Sequence, residues 1–174
     1  FYYAYSKETY DPKYNPLGRY WQGGVWPGTN YMTIDGLYRK GYHDLAREIA
    51  ANHYAAVFEV WKNTGTFWEY YAPEKIEPGF MARKDFVGWT GLPPIAVFIE
   101  YILGVKSDYS EGRIVWDIDH TEAHGIERYP YGPDGVVGLK VKRRASAGET
   151  PSVSVETNVP FDLTVTWGDG RSRT

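Results

Sequence analysis

The chain has no cysteine. Disulfides and thiolate metal sites are therefore excluded, and thiol usage says nothing about the redox compartment. It also lacks a charge excess: 19 basic and 22 acidic side chains leave a net charge of −3, with both signs interspersed. That is not the footprint of a protein that grips nucleic acid or an anionic membrane surface, and neither partner is expected. No stretch approaches the ~18 apolar residues that cross a bilayer. No charged-then-apolar leader opens the chain. The first residue is Phe1 rather than Met, as expected of a processed, trimmed or partial chain. At 174 residues the length suits one domain, able to bury roughly 68–70% of its unfolded surface.

What the sequence has in plenty is rings. Aromatic residues make up 17% of it, with 16 Tyr and 7 Trp. Both types combine an apolar face with a polar handle. That suits a ligand of mixed polarity such as a sugar, although a large aromatic core gives the same composition.

Residues 1–30 read as irregular, with turn formers dense in Tyr10-Asp-Pro-Lys-Tyr-Asn-Pro-Leu-Gly18. A short helix is expected over Met32–Lys40, ended by Gly41. A second is expected from about His43 to Lys62. Its apolar positions form two adjacent stripes, Leu45, Ile49, Ala56 and Val60 beside Ala46, Ala50, Tyr54, Val57 and Trp61. A third, apolar helix is expected over Ile95–Leu103, with Pro93 and Pro94 in its first turn. Past residue 108 the period changes. Arg113–Ile118, Val136–Arg144, Pro151–Thr157 and Phe161–Trp167 read as a small antiparallel sheet. The shift near Lys106–Gly112 is the best candidate boundary.

Several constellations have an ordinary reading. Asp117, Asp119, His120, Glu122 and His124 could face a cation, but two aspartates on a solvated strand edge are commonplace, and no metal is expected. The basic run Lys140-Val-Lys-Arg-Arg144 reads as a solvated strand face. His43 and His53 read as edge or core residues. No nucleophile triad, phosphate loop or nucleotide fingerprint occurs, and no cofactor is expected.

Three aromatic segments at helix boundaries remain: 20–31, 66–74 and 86–91. Each combines Trp, Gly and a polar residue, and they can gather at one end of the helices as a cup. The second places a carboxylate, Glu69, among Phe67, Trp68, Tyr70 and Tyr71. Ring faces cover the C–H faces of a pyranose while a carboxylate reaches a hydroxyl or an activated water.

These segments carry a family likeness. Tyr20-Trp-Gln-Gly-Gly-Val-Trp-Pro-Gly-Thr-Asn-Tyr31, Gly65-Thr-Phe-Trp-Glu-Tyr-Tyr-Ala-Pro-Glu74 and Asp85-Phe-Val-Gly-Trp-Thr-Gly-Leu92 resemble, in order, three motifs of the (α/α)6-barrel glycosidases. The nearest likeness is to glycoside hydrolase family 63 and its mannosylglycerate-hydrolase-like relatives, with family 37 trehalases more distant. It covers roughly residues 10–105. The resemblance implies an α+β chain: residues 1–108 a partial (α/α)6 catalytic barrel, the last part of the toroid, and residues 109–174 a C-terminal antiparallel β segment. It implies inverting hydrolysis of an α-glycoside, with Glu69 as general base. Trp21, Gln22, Gly23, Trp26, Asn30, Trp68, Tyr71 and Trp89 would line the sugar site. Gln22 stands where many members carry Arg, a neutral amide in place of a charged fork. The general acid of such enzymes is an aspartate from an earlier part of the barrel, and Asp11, Asp35 and Asp85 lie in the wrong context for it. The expected partners are thus a carbohydrate, α-glucoside or related, and the remaining N-terminal part of the enzyme or another copy of the chain. The alternative is a non-catalytic carbohydrate-binding or structural fragment.

Overall fold

The computed structural model describes residues 15–168 and 170–174; the start of the Tyr10–Gly18 turn stretch lies outside them. The chain divides into two compact units, the first ending at Ile102 and the second starting at Leu103. The first is helical, the second is built of strands.

Helix α1 spans Pro27–Arg39, starting earlier than the apolar periodicity suggests. Trp26 takes the N-cap with extended backbone, and Pro27 stands in the first turn. There its missing N–H costs nothing and its fixed φ is already helical. Pro27, inside the stretch that reads as irregular, is thus the helix start. At the far end the N–H of Gly41 reaches the Tyr38 carbonyl at 3.0 Å and that of Tyr42 reaches Leu37 at 3.0 Å, the paired bonds of a Schellman stop.

Helix α2 spans His43–Thr64 and buries Ala46, Ile49, Ala50, His53, Val57 and Val60. Its buried stripe is narrower than the sequence suggests, because Leu45 and Trp61 each remain 41% exposed. Outward from it runs a ladder of near-parallel rings: Phe98 on Tyr54, Tyr54 on Phe58, and Phe58 on Trp61, with centroids 5.0, 5.8 and 5.8 Å apart. With Phe67 and Ile95 these rings line an apolar groove of about 270 Å³.

Helix α3 spans Gly88–Val97 and carries Pro93 and Pro94 inside it, not at its start. Each proline deletes the bond its nitrogen would donate four residues back. The helix then widens into a π turn over Phe98–Ile102. Two phenol–carboxylate bonds tie this turn to α1. Tyr31 Oη donates to Glu100 Oε2 at 2.8 Å and Tyr101 Oη to Asp35 Oδ1 at 2.9 Å. Arg39 Nε meets the other Asp35 oxygen at 2.7 Å. Burial first, then these carboxylates, pushes both phenols far above the usual tyrosine range, so both remain donors.

Two apolar clusters hold the helical unit. One is Ile34, Ala46, Ile49, Ala50, Val97 and Tyr101. The other is Val25, Val57, Val60 and Tyr71, with Phe67 and Trp68 packed against it. Each fully buried aliphatic side chain stabilises by about 1.5–3 kcal/mol.

The strand unit contains β1 (Val105–Asp108), β2 (Arg113–Ile118), β3 (His124–Tyr131), β4 (Gly135–Val141), β5 (Val153–Thr157), β6 (Asp162–Trp167) and β7 (Arg171–Arg173). They form two sheets rather than one, ordered β1-β2-β6-β7 and β3-β4-β5. The β2–β6 pair is parallel, which the spacing of the runs did not suggest. β1 pairs with β2 from Val105 onward, so the sheet begins upstream of residue 109. Alternate burial along β2 and β4 shows one packed face on each. The core includes Ile114, Trp116, Ile118, Val137 and Leu139.

Arg144 corrects the reading of the basic run as solvated: it is 4% exposed. Its guanidinium donates to the carbonyls of Ala147, Glu149, Ile118 and His120 at 2.8–3.0 Å. The run leaves its strand at Val141, and the chain turns Arg144 inward as a clamp on four backbone acceptors. Among the described residues, no group of three or more His, Cys, Asp or Glu is arranged to hold a metal.

Candidate functional site

The aromatic segments meet in the helical unit. Val25 and Tyr71 exchange both backbone bonds, at 2.8 and 2.9 Å, which pins the 20–26 loop to the segment after α2. Arg19 and Gln22 exchange another pair at 2.8 Å and close a turn that presents Tyr20 and Trp21. Trp68 bridges Lys84, and the Glu69 N–H reaches the Arg83 carbonyl at 3.0 Å. Residues 66–71 are thus held between two neighbours. Thr66 Oγ1 adds a 2.7 Å bond to Asp85, and Thr90 Oγ1 donates to the Trp68 carbonyl at 3.3 Å.

The rings form one assembly. Trp26 lies between Trp21 and Tyr70, stacked on each at 4.3 and 5.1 Å. Tyr20 presents an edge contact to Trp21, Trp26 and Tyr70, and Trp89 leans on Trp26 at 5.5 Å. The Trp26 indole N–H donates to the Tyr20 carbonyl at 3.1 Å. Trp26 is 3% exposed, whereas Tyr20, Trp21 and Trp89 are 44–48% exposed. The free ring surface therefore belongs to those three, and Trp26 is the spine that carries them.

Close backbone approach makes this possible at two glycines. A Cβ on Gly28 would lie 2.6 Å from the Trp89 ring, and one on Gly24 would lie 2.2 Å from the Tyr20 carbonyl oxygen. Neither position accepts a side chain without displacing a ring or the loop. Tyr20, Met81 and Asp85 hold positive φ without being glycine. All three sit in the segments that build this site, where stored backbone strain often collects.

Each expected site residue can now be placed. Glu69 is half-buried. One carboxylate oxygen accepts the Arg83 N–H at 3.4 Å, a long bond that leaves acceptor capacity. Burial raises the Tyr70 phenol, and the neighbouring Glu69 carboxylate adds to that rise. Tyr70 Oη donates to the Phe80 carbonyl. Trp21 and Trp89 belong to the exposed platform. Gln22 is exposed and Gly23 buried in the turn below it. Trp26 belongs to the assembly but has both faces covered. Asn30 is 3% exposed, and its amide donates to the Trp26 carbonyl at 3.2 Å, so it braces the start of α1. Trp68 and Tyr71 go to the core. Trp68 Nε1 bonds Thr64 at 3.0 Å, and the Trp68 backbone N–H bonds Tyr71 Oη at 3.2 Å. Burial pushes the Tyr71 phenol up to about 12.

The sequence reading missed Tyr20 and chose Tyr71 over Tyr70. Pairing of Tyr71 with Val25 commits Tyr71 to the apolar cluster and Tyr70 to the rings. Asp35 and Asp85 are engaged by Tyr101 with Arg39 and by Thr66, respectively.

Comparison with known proteins follows the same segments. Residues 2–87 match the family described as the mannosylglycerate hydrolase MGH1-like glycoside hydrolase domain. A probable mannosyl-oligosaccharide glucosidase of Schizosaccharomyces pombe is 37% identical over 83 residues, 42% of this chain and 10% of that protein. Mannosylglycerate hydrolase MGH1 of Selaginella moellendorffii is 44% identical over 63 residues, 36% of this chain and 12% of that protein. Mannosyl-oligosaccharide glucosidase GCS1 of Arabidopsis thaliana is 26% identical over 91 residues, 47% of this chain and 10% of that protein. The chain thus spans only 10–12% of the length of these relatives. No solved structure matches it. The segment that carries Trp26, Tyr70 and Glu69 thus matches the MGH1-like glycoside hydrolases of family 63.

Proposed function

We propose that this chain supplies part of the active site of an inverting α-glycosidase acting on a glucosyl or mannosyl substrate. Glu69 is its general base, and the helical unit is one portion of an (α/α)6 toroid. The observation that carries the reading is the position of Glu69. It is a half-buried carboxylate joined directly to Tyr70, whose ring is stacked against Trp26 beneath the exposed faces of Tyr20, Trp21 and Trp89. Exposed rings cover the apolar face of a pyranose, while the carboxylate takes a proton from the water that attacks the anomeric carbon. The partner acid comes from outside this chain, either from the remaining part of the enzyme or from another copy.

The test is Glu69→Gln in the complete enzyme that contains this segment. The amide keeps the shape and loses the base, so kcat is expected to fall by about 10²–10⁴-fold with sugar affinity retained. Turnover close to that of the unaltered enzyme would remove Glu69 from the mechanism and leave carbohydrate binding without chemistry as the function of the platform.

A further inference from the structure

The segment that carries Glu69 is backed by an antiparallel neighbour, residues 83–86. Trp68 bridges Lys84, and the Glu69 N–H donates to the Arg83 carbonyl at 3.0 Å. In a regular ladder the next bonded pair would be Phe67 with Asp85. The N–H that reaches the Phe67 carbonyl belongs instead to Phe86, at 3.2 Å. Asp85 is therefore one residue too many, in the manner of a β-bulge. Its φ is 58°, the left-handed conformation that a bulge of this kind usually assigns to glycine and that Asp tolerates better than most side chains.

A side-chain bond pins the extra residue. Asp85 Oδ1 accepts the Thr66 hydroxyl at 2.7 Å. The same hydroxyl lies 3.4 Å from the Phe67 carbonyl, much the weaker contact. At the other end of the pairing the Arg83 N–H meets the Glu69 carboxylate. The register fixed at Asp85 therefore decides where the Arg83 amide stands, and with it the Glu69 side chain.

We propose that Asp85 is a positioning residue for Glu69. Its bond to Thr66 locks the bulge, and the bulge sets the register in which Arg83 holds the carboxylate. On the reading of Glu69 as general base, on which this inference rests, Asp85 acts through that register and transfers no proton. Bulges next to active sites re-aim side chains in this way, and a misplacement of about 1 Å can cost about 10²-fold in rate.

The experiment compares Asp85→Gly, Asp85→Asn and Thr66→Val in the complete enzyme that contains this segment. Glycine and asparagine both accept left-handed backbone, so these two variants differ in the bond and not in strain. Asp85→Gly and Thr66→Val delete the bond from its two sides. Each is expected to lower kcat by about tenfold or more and to leave KM within about twofold. Asp85→Asn keeps an acceptor for Thr66 and is expected to hold kcat within about threefold of the unaltered enzyme. In a Glu69→Gln background, Asp85→Gly should change the residual turnover by less than about twofold, because no base is left to misplace. Ordinary kcat in both Asp85→Gly and Thr66→Val overturns the proposal. So does a loss that Asp85→Asn shares in full, or an equal loss in the Glu69→Gln background. If Asp85→Gly does not fold, Thr66→Val alone and in the Glu69→Gln background decides the question. Ordinary turnover in Glu69→Gln would remove the general base and this proposal together. Inactive Glu69→Gln beside ordinary Asp85→Gly and Thr66→Val would remove this proposal alone.

Discussion

Trp26 and Tyr70 lie stacked with ring centroids 5.1 Å apart and planes 24° from parallel, although the two residues come from loops at the start of α1 and beyond the end of α2. The contact joins the loop that presents the exposed rings to the segment that presents Glu69. Whatever loosens it should alter both.

Trp26→Ala is expected to destabilise the helical unit by about 3–5 kcal/mol, the range for deleting a buried large aromatic side chain. Trp21→Ala removes a ring already 44% exposed and should cost clearly less. Urea unfolding followed by far-ultraviolet circular dichroism separates the two. Equal losses would mean that Trp26 is not the spine of the assembly.

Glycine substitutions in α1 should have opposite signs. Gly28→Ala places a methyl group 2.6 Å from the Trp89 ring and is expected to cost about 1–3 kcal/mol as overpacking. It should also shift the near-ultraviolet circular dichroism of the tryptophans. Gly36→Ala meets nothing within 4 Å and is expected to stabilise by about 0.5–1 kcal/mol through helix propensity. Matched midpoints for the two variants would refute the close approach.

His53 should make stability fall in mild acid. Burial lowers its pKa from 6.5 to about 4. The unfolded chain therefore takes up a proton below about pH 6.5 that the folded chain refuses until about pH 4. The loss between pH 7 and pH 5 is roughly 2 kcal/mol at about 1.36 kcal/mol per pH unit. His53→Gln should remove that part of the slope in urea titrations at the two pH values. An unchanged slope would assign the acid sensitivity to other groups.

Helix α2 was legible from its first residue because a wide apolar face at helical spacing admits one reading. Prolines misled at both other helices. Pro27 reads equally as the end of a loop or the first turn of a helix, and Pro93-Pro94 sit inside α3, where local preference argues against them. Strand β3 was hidden by its own irregularity. Its register slips between Ile126 and Tyr129, with Arg128 at positive φ, so no clean alternation survives. β1 is four residues long, too short to show a period. The rings that meet around Trp26 could be picked out as segments. The choice between Tyr70 and Tyr71 depended on a backbone pairing with Val25, far away in sequence, that no local pattern encodes.

The π turn over Phe98–Ile102 makes the length of that segment matter as much as its composition. A wide turn amounts to one residue inserted into an α-helix. Deleting a single residue there would restore regular winding and shift the residues within the turn relative to α1. Glu100 and Tyr101 could then no longer both meet their partners on α1. Side chains in this stretch can be exchanged one at a time with local consequences, whereas a shortened stretch would unlatch the two helices together.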